Sequence, residues 1–226
     1  MKYENIVQGI FLNRPNRFIA EVIIGDKIEK AHIKNTGRCK ELFLEGARVI
    51  MQRASNPKRT TKYDLIAVWK GKRLINVDSQ APNKVFLEYL QSGKYIENIT
   101  LLKPEAKFGT SRFDFYIEAG RRKIFLEIKG VTLEENGVVL FPDAPTERGV
   151  KHLQELIGSL KQGYEAQVIF VAQMEEARYF APNNKTHPEF GTTLVAAEKA
   201  GVKVVAFDCL VTAESIIIDK KIPCRL

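Results

Sequence analysis

The sequence predicts a protein of the α/β class, α+β when the whole chain is counted, in which a small β-barrel precedes a mixed sheet flanked by helices. Two observations support this division into residues 1–80 and residues 81–226. Up to about Asp78 the chain consists of short strand-like segments separated by turns, whereas helix and strand patterns alternate after it. The charge changes at the same place, because residues 1–80 hold 16 Lys and Arg against 8 Asp and Glu, and residues 81–226 hold 19 of each.

Composition excludes several classes of protein. The 226 residues are 45% hydrophobic, which is enough for one large domain or two modest ones. No stretch approaches the roughly 20 apolar residues that span a bilayer, and Glu4 and Asn5 lie where a signal peptide needs an apolar run. The cysteines, Cys39, Cys209 and Cys224, are odd in number and far apart. We therefore expect free thiols in a cytoplasmic protein with no membrane partner, no disulfide framework and no zinc site.

Six short strand-like segments fill the first 80 residues. They are NIVQGIFL, RFIAEVII, KIEKAHIKN, ARVIMQRA, YDLIAVWK and RLINVDS, and turn-forming residues separate them. Five or six strands in so short a segment favour a small barrel, and an OB-like Greek-key barrel has this size.

The whole net charge of +8 falls within residues 1–80. A basic module joined to a neutral one predicts a polyanionic partner, with nucleic acid as the first candidate. The alternative is a basic surface that only maintains solubility. The candidate nucleic-acid contacts in the predicted loops are Arg14, Arg17, Arg38, Lys40, Lys58, Arg59, Lys62 and Tyr63.

Three aromatic residues accompany these loops, and exposed rings there would stack on bases. Phe18 and Trp69 each lie within an apolar strand, which favours a place in the core. Tyr63 adjoins the Lys/Arg-rich loop, so both stacking and burial are open for it.

The second domain is predicted from alternating patterns. SQAPNKVFLEYLQSGKY indicates a helix with Asn83 as its N-cap and Gly93 at its end. A β-hairpin over residues 113–130 and a loop follow, and Thr146 is expected to cap a second helix that ends before Gly163. A buried strand (AQVIFVAQ), a helix around TTLVAAEKAG and a strand (VKVVAFDC) complete the mixed sheet.

The hairpin FDFYIEAGRRKIFLEIKG carries an unfavourable set of charges. If its turn is Gly120-Arg121, or a symmetric four residues, the numbers of paired residues sum to 241 and Asp114 lies opposite Glu127. Lys129 shares a strand face with Glu127. Because like charges directly opposite one another destabilise a sheet, we expect a ligand to compensate them. The alternative is a charged face that is merely solvated.

Two close carboxylates with a lysine beside them are what a divalent-metal phosphodiesterase requires. They are costly alone and favourable around a hard cation, which we expect to be Mg²⁺ or Mn²⁺. Asp114 and Glu127 are the predicted ligands, and Glu88 of the preceding helix could complete the metal site. Lys129 would position the attacking water or stabilise the transition state. The pattern D-x12-E-x-K resembles that of the PD-(D/E)xK nuclease superfamily.

The wider sequence resembles the sugar fermentation stimulation protein A family. The resemblance rests on NRPNRFIAEV, HIKNTGRCKELFLEG, YDLIAV, FGTSRFDF, EIKGVTL and FPDAPTERGVKHLQEL, and it runs from about residue 11 to the closing PCRL. It implies an N-terminal OB-like domain, a PD-(D/E)xK nuclease-like C-terminal domain, DNA binding and, in bacteria, a role in regulating the use of sugar, especially maltose. It does not imply cleavage, which we expect because the aspartate, glutamate and lysine positions are all filled.

Arg148 and His152 are further candidate catalytic residues, one helical turn apart. They would contact the scissile phosphate or donate to a metal-bound water, with Asp143 and Thr146 ordering the loop beside them. The alternative is that Arg148, His152 and Glu155 form exposed pairs worth only tenths of a kcal/mol.

Three functions follow from these observations. The first is a DNA-binding protein with a metal-dependent nuclease-like site and weak sequence preference, acting on single- or double-stranded DNA. The second is a non-catalytic DNA-binding regulator of sugar use. The third is an RNA-binding or RNA-processing factor, because OB-like barrels accept single strands of either kind. The sequence defines no oligomeric state.

Overall fold

The computed structural model describes residues 1–35, 37–56 and 58–226. Six strands form the N-terminal part: β1 (Ile6–Asn16), β2 (Ile19–Ile24), β3 (Lys27–Ile33), β4 (Arg48–Arg53), β5 (Tyr63–Lys70) and β6 (Arg73–Asn76). Their order is β3-β2-β1-β4-β5-β6, and β3 also pairs with β5 in parallel, which closes a five-stranded barrel. The predicted OB-like barrel is confirmed.

Local sequence explains the tight connection between β2 and β3. Ile24 pairs with Lys27, so only Gly25 and Asp26 form the turn, and Gly25 has φ +57°. Two-residue hairpin turns need positive φ, which glycine adopts without steric cost. Ala20 and Ala31, which are directly paired across these strands, are both fully buried in the barrel interior.

The remaining chain forms three helices, a six-stranded sheet and a three-stranded sheet. The helices are α1 (Ala81–Gln91), α2 (Glu147–Leu160) and α3 (Pro188–Ala200). The strands are β7 (Ile99–Phe108), β8 (Ser111–Ala119), β9 (Arg122–Val131), β10 (Leu133–Glu135), β11 (Val138–Phe141), β12 (Glu165–Ala172), β13 (Tyr179–Pro182), β14 (Lys203–Val211) and β15 (Ile216–Ile222).

The larger sheet has the order β15-β14-β12-β9-β8-β7. β9, β12 and β14 are parallel to one another and the outer strands are antiparallel, so the predicted mixed sheet is confirmed. One face packs on α1 and the other on α2 and α3. β10 and β11, which lie in a region that the sequence predicts to be a loop, form the small sheet together with β13.

The hairpin of β8 and β9 has the predicted register. Ala119 pairs with Arg122 and Phe115 with Leu126, so the paired numbers sum to 241, and Gly120 has φ +61° in the turn. Alternation along β9 sends Leu126 toward α1 and Phe125 toward α2. Glu127 and Lys129 share the α2 side with Phe125.

The barrel lies against the second half of the chain. Apolar residues of both belong to one continuous buried cluster. A Cβ atom built on Gly37 would lie 2.4 Å from the Asp143 carboxylate, and Cys39 Sγ lies 3.8 Å from Thr132 Oγ1. The barrel loop that contains Gly37 and Cys39 therefore contacts the segments that follow β9 and precede α2. Within the part of the chain that the structure describes, no helix is long and apolar enough to cross a membrane.

Candidate functional site

Asp114 lies where the backbone ladder between β8 and β9 ends. The backbone pair that ends the ladder is Phe115 with Leu126. Beyond this pair, the Asp114 side chain accepts the hydrogen bond from the β9 backbone. Its Oδ2 accepts from the Ile128 backbone N–H at 2.7 Å, and its Oδ1 accepts from Asn83 Nδ2 at 2.7 Å. The carboxylate is therefore fixed between β9 and α1.

Glu127 is almost fully buried, with 3% of its surface exposed. Its Oε1 accepts from Lys129 Nζ at 2.6 Å and from His152 Nδ1 at 2.5 Å. Its Oε2 is buried and has no hydrogen-bond partner among the described residues. A buried carboxylate oxygen without a partner is costly, and a hard cation is a ligand that would satisfy it. The residues present therefore fit a divalent metal.

The two carboxylates differ in pKa because their electrostatic surroundings differ. Burial, and next the negative charge of Glu127, raises the pKa of Asp114 to about 6, although the hydrogen bonds from Ile128 and Asn83 oppose the shift. Burial acts in the same direction on Glu127, but hydrogen bonds and charge from His152 and Lys129 outweigh it, so the pKa of Glu127 lies below its ordinary value. Glu127 is thus the more acidic of the two, and Asp114 loses its proton only near pH 6.

His152 links the carboxylate pair to Arg148. Arg148 Nε donates to His152 Nε2 at 3.3 Å, so the proton on Nδ1 is shared with Glu127. The imidazole is only 4% exposed. The interpretation of His152 as part of an exposed surface pair is therefore wrong. Glu155 lies one turn on and accepts from Thr110 Oγ1 at 2.8 Å.

The structure does not bring Glu88 to this site. Its side chain is 55% exposed and forms an ion pair with the Met1 ammonium group. The reason is helical geometry, since Glu88 lies five residues after Asn83 and hence about 140° further round α1. Asn83 was expected to cap this helix, but α1 begins at Ala81, so the Asn83 side chain is free to bind Asp114.

Several of the predicted nucleic-acid contacts are occupied by internal interactions. The Arg14 guanidinium donates to backbone carbonyls of Gly37, Arg38, Arg17 and Asn35, and so it holds a loop together. Two further residues are engaged elsewhere in the barrel. Arg59 donates to both carboxylate oxygens of Asp64, and Tyr63 is 6% exposed, which excludes base stacking. The prediction for Tyr63 is corrected, whereas those for Arg14 and Arg59, both partly exposed, stay predictions.

Other members of the predicted set do face solvent. The exposed cations are Arg17, Arg38, Lys40, Lys58 and Lys62. Phe18 is 42% exposed beneath the Arg17 guanidinium, so the expectation that it lies in the core is wrong. Its place at the end of the β1–β2 hairpin explains this exposure. Trp69 is partly buried against the core, with Arg48 over its ring.

The chain is similar to known proteins over its full length. The family models that match are SfsA N-terminal OB domain over residues 12–77 and Sugar fermentation stimulation protein RE domain over residues 80–215. A sugar fermentation stimulation protein homolog of Desulfitobacterium hafniense is 61% identical over 216 residues, which cover 96% of this chain and 94% of that one. A homolog of Ruminiclostridium cellulolyticum is 54% identical over the full length of both chains.

A solved structure shows the same architecture. It is Pyrococcus furiosus SfsA in complex with Ca²⁺, with a TM-score of 0.90, 29% identity, and coverage of 100% of this chain and 98% of that one. The architecture of the two halves, the family models and the full-length relatives agree. The chain belongs to the sugar fermentation stimulation protein (SfsA) family.

Proposed function

We propose that the protein binds nucleic acid, DNA first, and hydrolyses its phosphodiester bonds with Mg²⁺ or Mn²⁺ held by Asp114 and Glu127. The observation that carries the proposal is the buried, unpartnered Oε2 of Glu127 beside a second carboxylate whose pKa is raised to about 6. Without a cation, this arrangement of buried carboxylates would destabilise the fold.

The protein's own residues orient this pair. Asn83 and the Ile128 N–H hold Asp114, whereas His152 and Lys129 hold Glu127 through Oε1 alone. One carboxylate oxygen of Glu127 is thereby left for a cation. When bound, a divalent cation supplies positive charge to phosphate oxygens and lowers the pKa of a coordinated water.

Lys129 and Arg148 supply the remaining positive charge. The Lys129 side chain is 14% exposed, and an ammonium group has three donors, of which one reaches Glu127. The others are available to a phosphate oxygen or to the attacking water. Arg148 Nε binds His152, and its guanidinium keeps further donors for a phosphate.

The relative from Pyrococcus furiosus supports a cation site, since its solved structure is a complex with Ca²⁺. Ca²⁺ prefers oxygen ligands, as Mg²⁺ does. Carboxylates of Asp114 and Glu127 are ligands of that kind, and in this chain they would be the cation's protein ligands.

The exposed Phe18 beneath Arg17 favours a single strand as one ligand of the barrel, because aromatic rings stack on unpaired bases of DNA or RNA alike. Binding without cleavage would make the protein a regulator, for example of sugar use. The stacking surface of the barrel therefore does not distinguish DNA from RNA, and both are tested in the experiment below.

The decisive experiment incubates the purified protein with labelled single- and double-stranded DNA and RNA, in Mg²⁺, Mn²⁺ or EDTA, and measures binding and cleavage together. We expect cleavage with either metal, none in EDTA, and none with Glu127→Gln. Glu97→Gln is the control, because that carboxylate is exposed on the loop before β7. Binding without cleavage on every substrate supports the regulator instead, and cleavage confined to RNA supports the processing factor.

A further inference from the structure

A cleft of about 320 Å³ opens between the β7–β8 turn and the first turns of α2. Its walls are the side chains of Lys107, Thr110, Ser111, Arg112, Arg148 and Lys151. Four of these six are cations and two carry hydroxyl groups, and none of the described residues that line the cleft is a carboxylate. Such a site concentrates anions, because like charges along a concave wall reinforce one another's potential.

The cations on the hairpin wall are arranged unfavourably for the protein alone. Lys107 and Arg112 are directly paired across β7 and β8. Like charges at opposite positions destabilise a sheet. Arg112 reaches Glu105 only at 3.4 Å, and both side chains are more than half exposed, so that pair is weak. For Lys107 and Lys151, no carboxylate of the described chain lies within ion-pair distance.

The two walls are tied together. Thr110 Oγ1, in the turn between β7 and β8, donates to Glu155 Oε1 on α2 at 2.8 Å. Gly109 of the same turn has φ +55° and lies close enough to Glu155 that a Cβ would contact its carboxylate at 3.8 Å. The β7–β8 turn and α2 are therefore held together at this point by a hydrogen bond.

One side chain, that of His152, separates the cleft from Glu127. His152 also lines the cleft, and the Nδ1 of that ring is 2.5 Å from Glu127 Oε1. Arg148 lines the cleft and contacts the same imidazole. An anion in the cleft would thus lie within one side chain of the proposed catalytic site.

We propose that this cleft binds the phosphodiester backbone of a nucleic-acid strand next to the bond that is cleaved. The inference rests on the proposed function and adds a substrate-binding surface to it. Two facing walls of exposed cations suit consecutive phosphates of a chain. A site for one free phosphate would instead direct its donors at a single buried point.

The test compares two triple variants of equal charge change in the full-length protein. Lys107→Gln, Arg112→Gln and Lys151→Gln remove the cleft cations. Arg121→Gln, Lys123→Gln and Lys199→Gln remove the same residue types from exposed positions elsewhere. Lys123 lies six residues before Lys129 on β9, which is about 20 Å along the strand.

The measurement is the affinity for a labelled oligonucleotide between 50 and 300 mM salt. We expect the cleft variant to bind about tenfold more weakly or worse, and its log-affinity against log-salt slope to fall by about two to three units, or 0.7–0.9 per lost phosphate contact. The control variant should keep the wild-type slope. The single variant Lys151→Gln, on an exposed helical position, should lose about one unit and guards against misfolding of the triple variant.

Inorganic phosphate distinguishes the two sources of the anion. We expect it to displace the oligonucleotide only at concentrations about a thousandfold higher per phosphate, because it lacks the linked contacts of a chain. Equal competition per phosphate would identify a free-anion site and overturn the inference. Equal slopes for the cleft and control variants, with wild-type cleavage intact, overturn the inference alone. A wild-type protein that binds neither DNA nor RNA removes the inference and the proposed function together.

Discussion

The barrel and the α/β domain differ in net charge, but both present exposed cations. Residues 1–80 carry the entire net charge of +8. Two of their cations are nevertheless engaged within the fold, since Arg14 donates to four backbone carbonyls and Arg59 donates to the Asp64 carboxylate. Residues 81–226 carry no net charge, yet they contain a cleft with four cations on its walls. Net charge along the sequence therefore does not locate a binding surface. What decides is whether each cation already has a partner in the fold.

The largest expected effect comes from replacing Lys129, the lysine beside the carboxylate pair. Lys129→Ala should lower the cleavage rate by about 10²–10³-fold, the cost of removing a group that stabilises developing charge. Its effect on binding should stay within about tenfold, since one lysine is a small share of all phosphate contacts. Single-turnover cleavage and equilibrium binding on the same oligonucleotide measure the two effects.

Lys123→Ala is the control for that variant, because Lys123 is exposed on the same strand at the other end. It should leave cleavage unchanged. If Lys129→Ala weakens binding by the same factor as it slows cleavage, Lys129 is a binding contact and not a catalytic residue.

The next effect concerns metal removal. A metal present at a hundred times its dissociation constant should stabilise the native protein by about 2.7 kcal/mol, or a rise in Tm of about 5–10 °C for a protein of this size. Asp114→Asn and Glu127→Gln should each abolish that rise. Thermal melts with Mg²⁺, Mn²⁺ or EDTA measure it, and Asp26→Asn in the β2–β3 turn is the control. A rise that persists in both site variants would place the metal elsewhere.

Those two carboxylates also show how far sequence reasoning reached. The 241 register follows from Gly120 and the alternation of apolar residues along each strand, so Asp114 and Glu127 were found from the pattern alone. The partners of the pair were not all found. Asn83 was interpreted as a helix cap, and its contact with Asp114 depends on how α1 packs against β9, which no local pattern encodes.

Edge strands were also missed. β7 (Ile99–Phe108) and β15 (Ile216–Ile222) lie at the two edges of the larger sheet, where each pairs with a single strand among the described residues. β7 contains Pro104 and alternates poorly, with most of its residues exposed or partly exposed. Charged and proline-containing edges protect a sheet from further pairing, and the same features hide such strands from pattern analysis. The basic cleft, formed by the β7–β8 turn and α2, was missed with them.

The acid range tests the electrostatics of the pair without metal. Burial and the charge of Glu127 raise the pKa of Asp114 to about 6 in the native state, above its value of about 3.9 in the unfolded chain. The native state therefore binds the extra proton, and stability in EDTA should fall as pH rises from about 4 to about 6. Glu127, whose pKa is lowered, acts in the opposite sense and loses its contribution as pH falls below its ordinary value of about 4.3. Denaturant melts of Asp114→Asn should lack the fall between pH 4 and 6.

In the barrel the expected effects are smaller and of two kinds. Lys58 and Lys62 are exposed, so replacing both by Ala should flatten the salt dependence of binding by up to about two units. Arg59→Ala should change binding little and instead cost about 1–3 kcal/mol of stability, because it leaves the buried Asp64 carboxylate short of its two hydrogen bonds. Salt titrations and denaturant melts on both variants separate these roles. A large binding loss in Arg59→Ala with unchanged stability would return that residue to the nucleic-acid surface.

The smallest expected effect belongs to Glu88. Its carboxylate is half exposed and pairs with the Met1 ammonium group, on a side of α1 about 140° from Asn83. Glu88→Gln should therefore change stability by less than about 0.5 kcal/mol, as is usual for surface positions, and should leave the metal-induced rise in Tm intact. Asn83→Ala, five residues away on the same helix, should reduce that rise because it releases Asp114, and a loss of about tenfold in metal affinity is typical when a residue that orients a ligand is removed. If Glu88→Gln weakened metal binding as much as Asn83→Ala did, α1 would have to present its other side to the carboxylate pair, contrary to the packing described above.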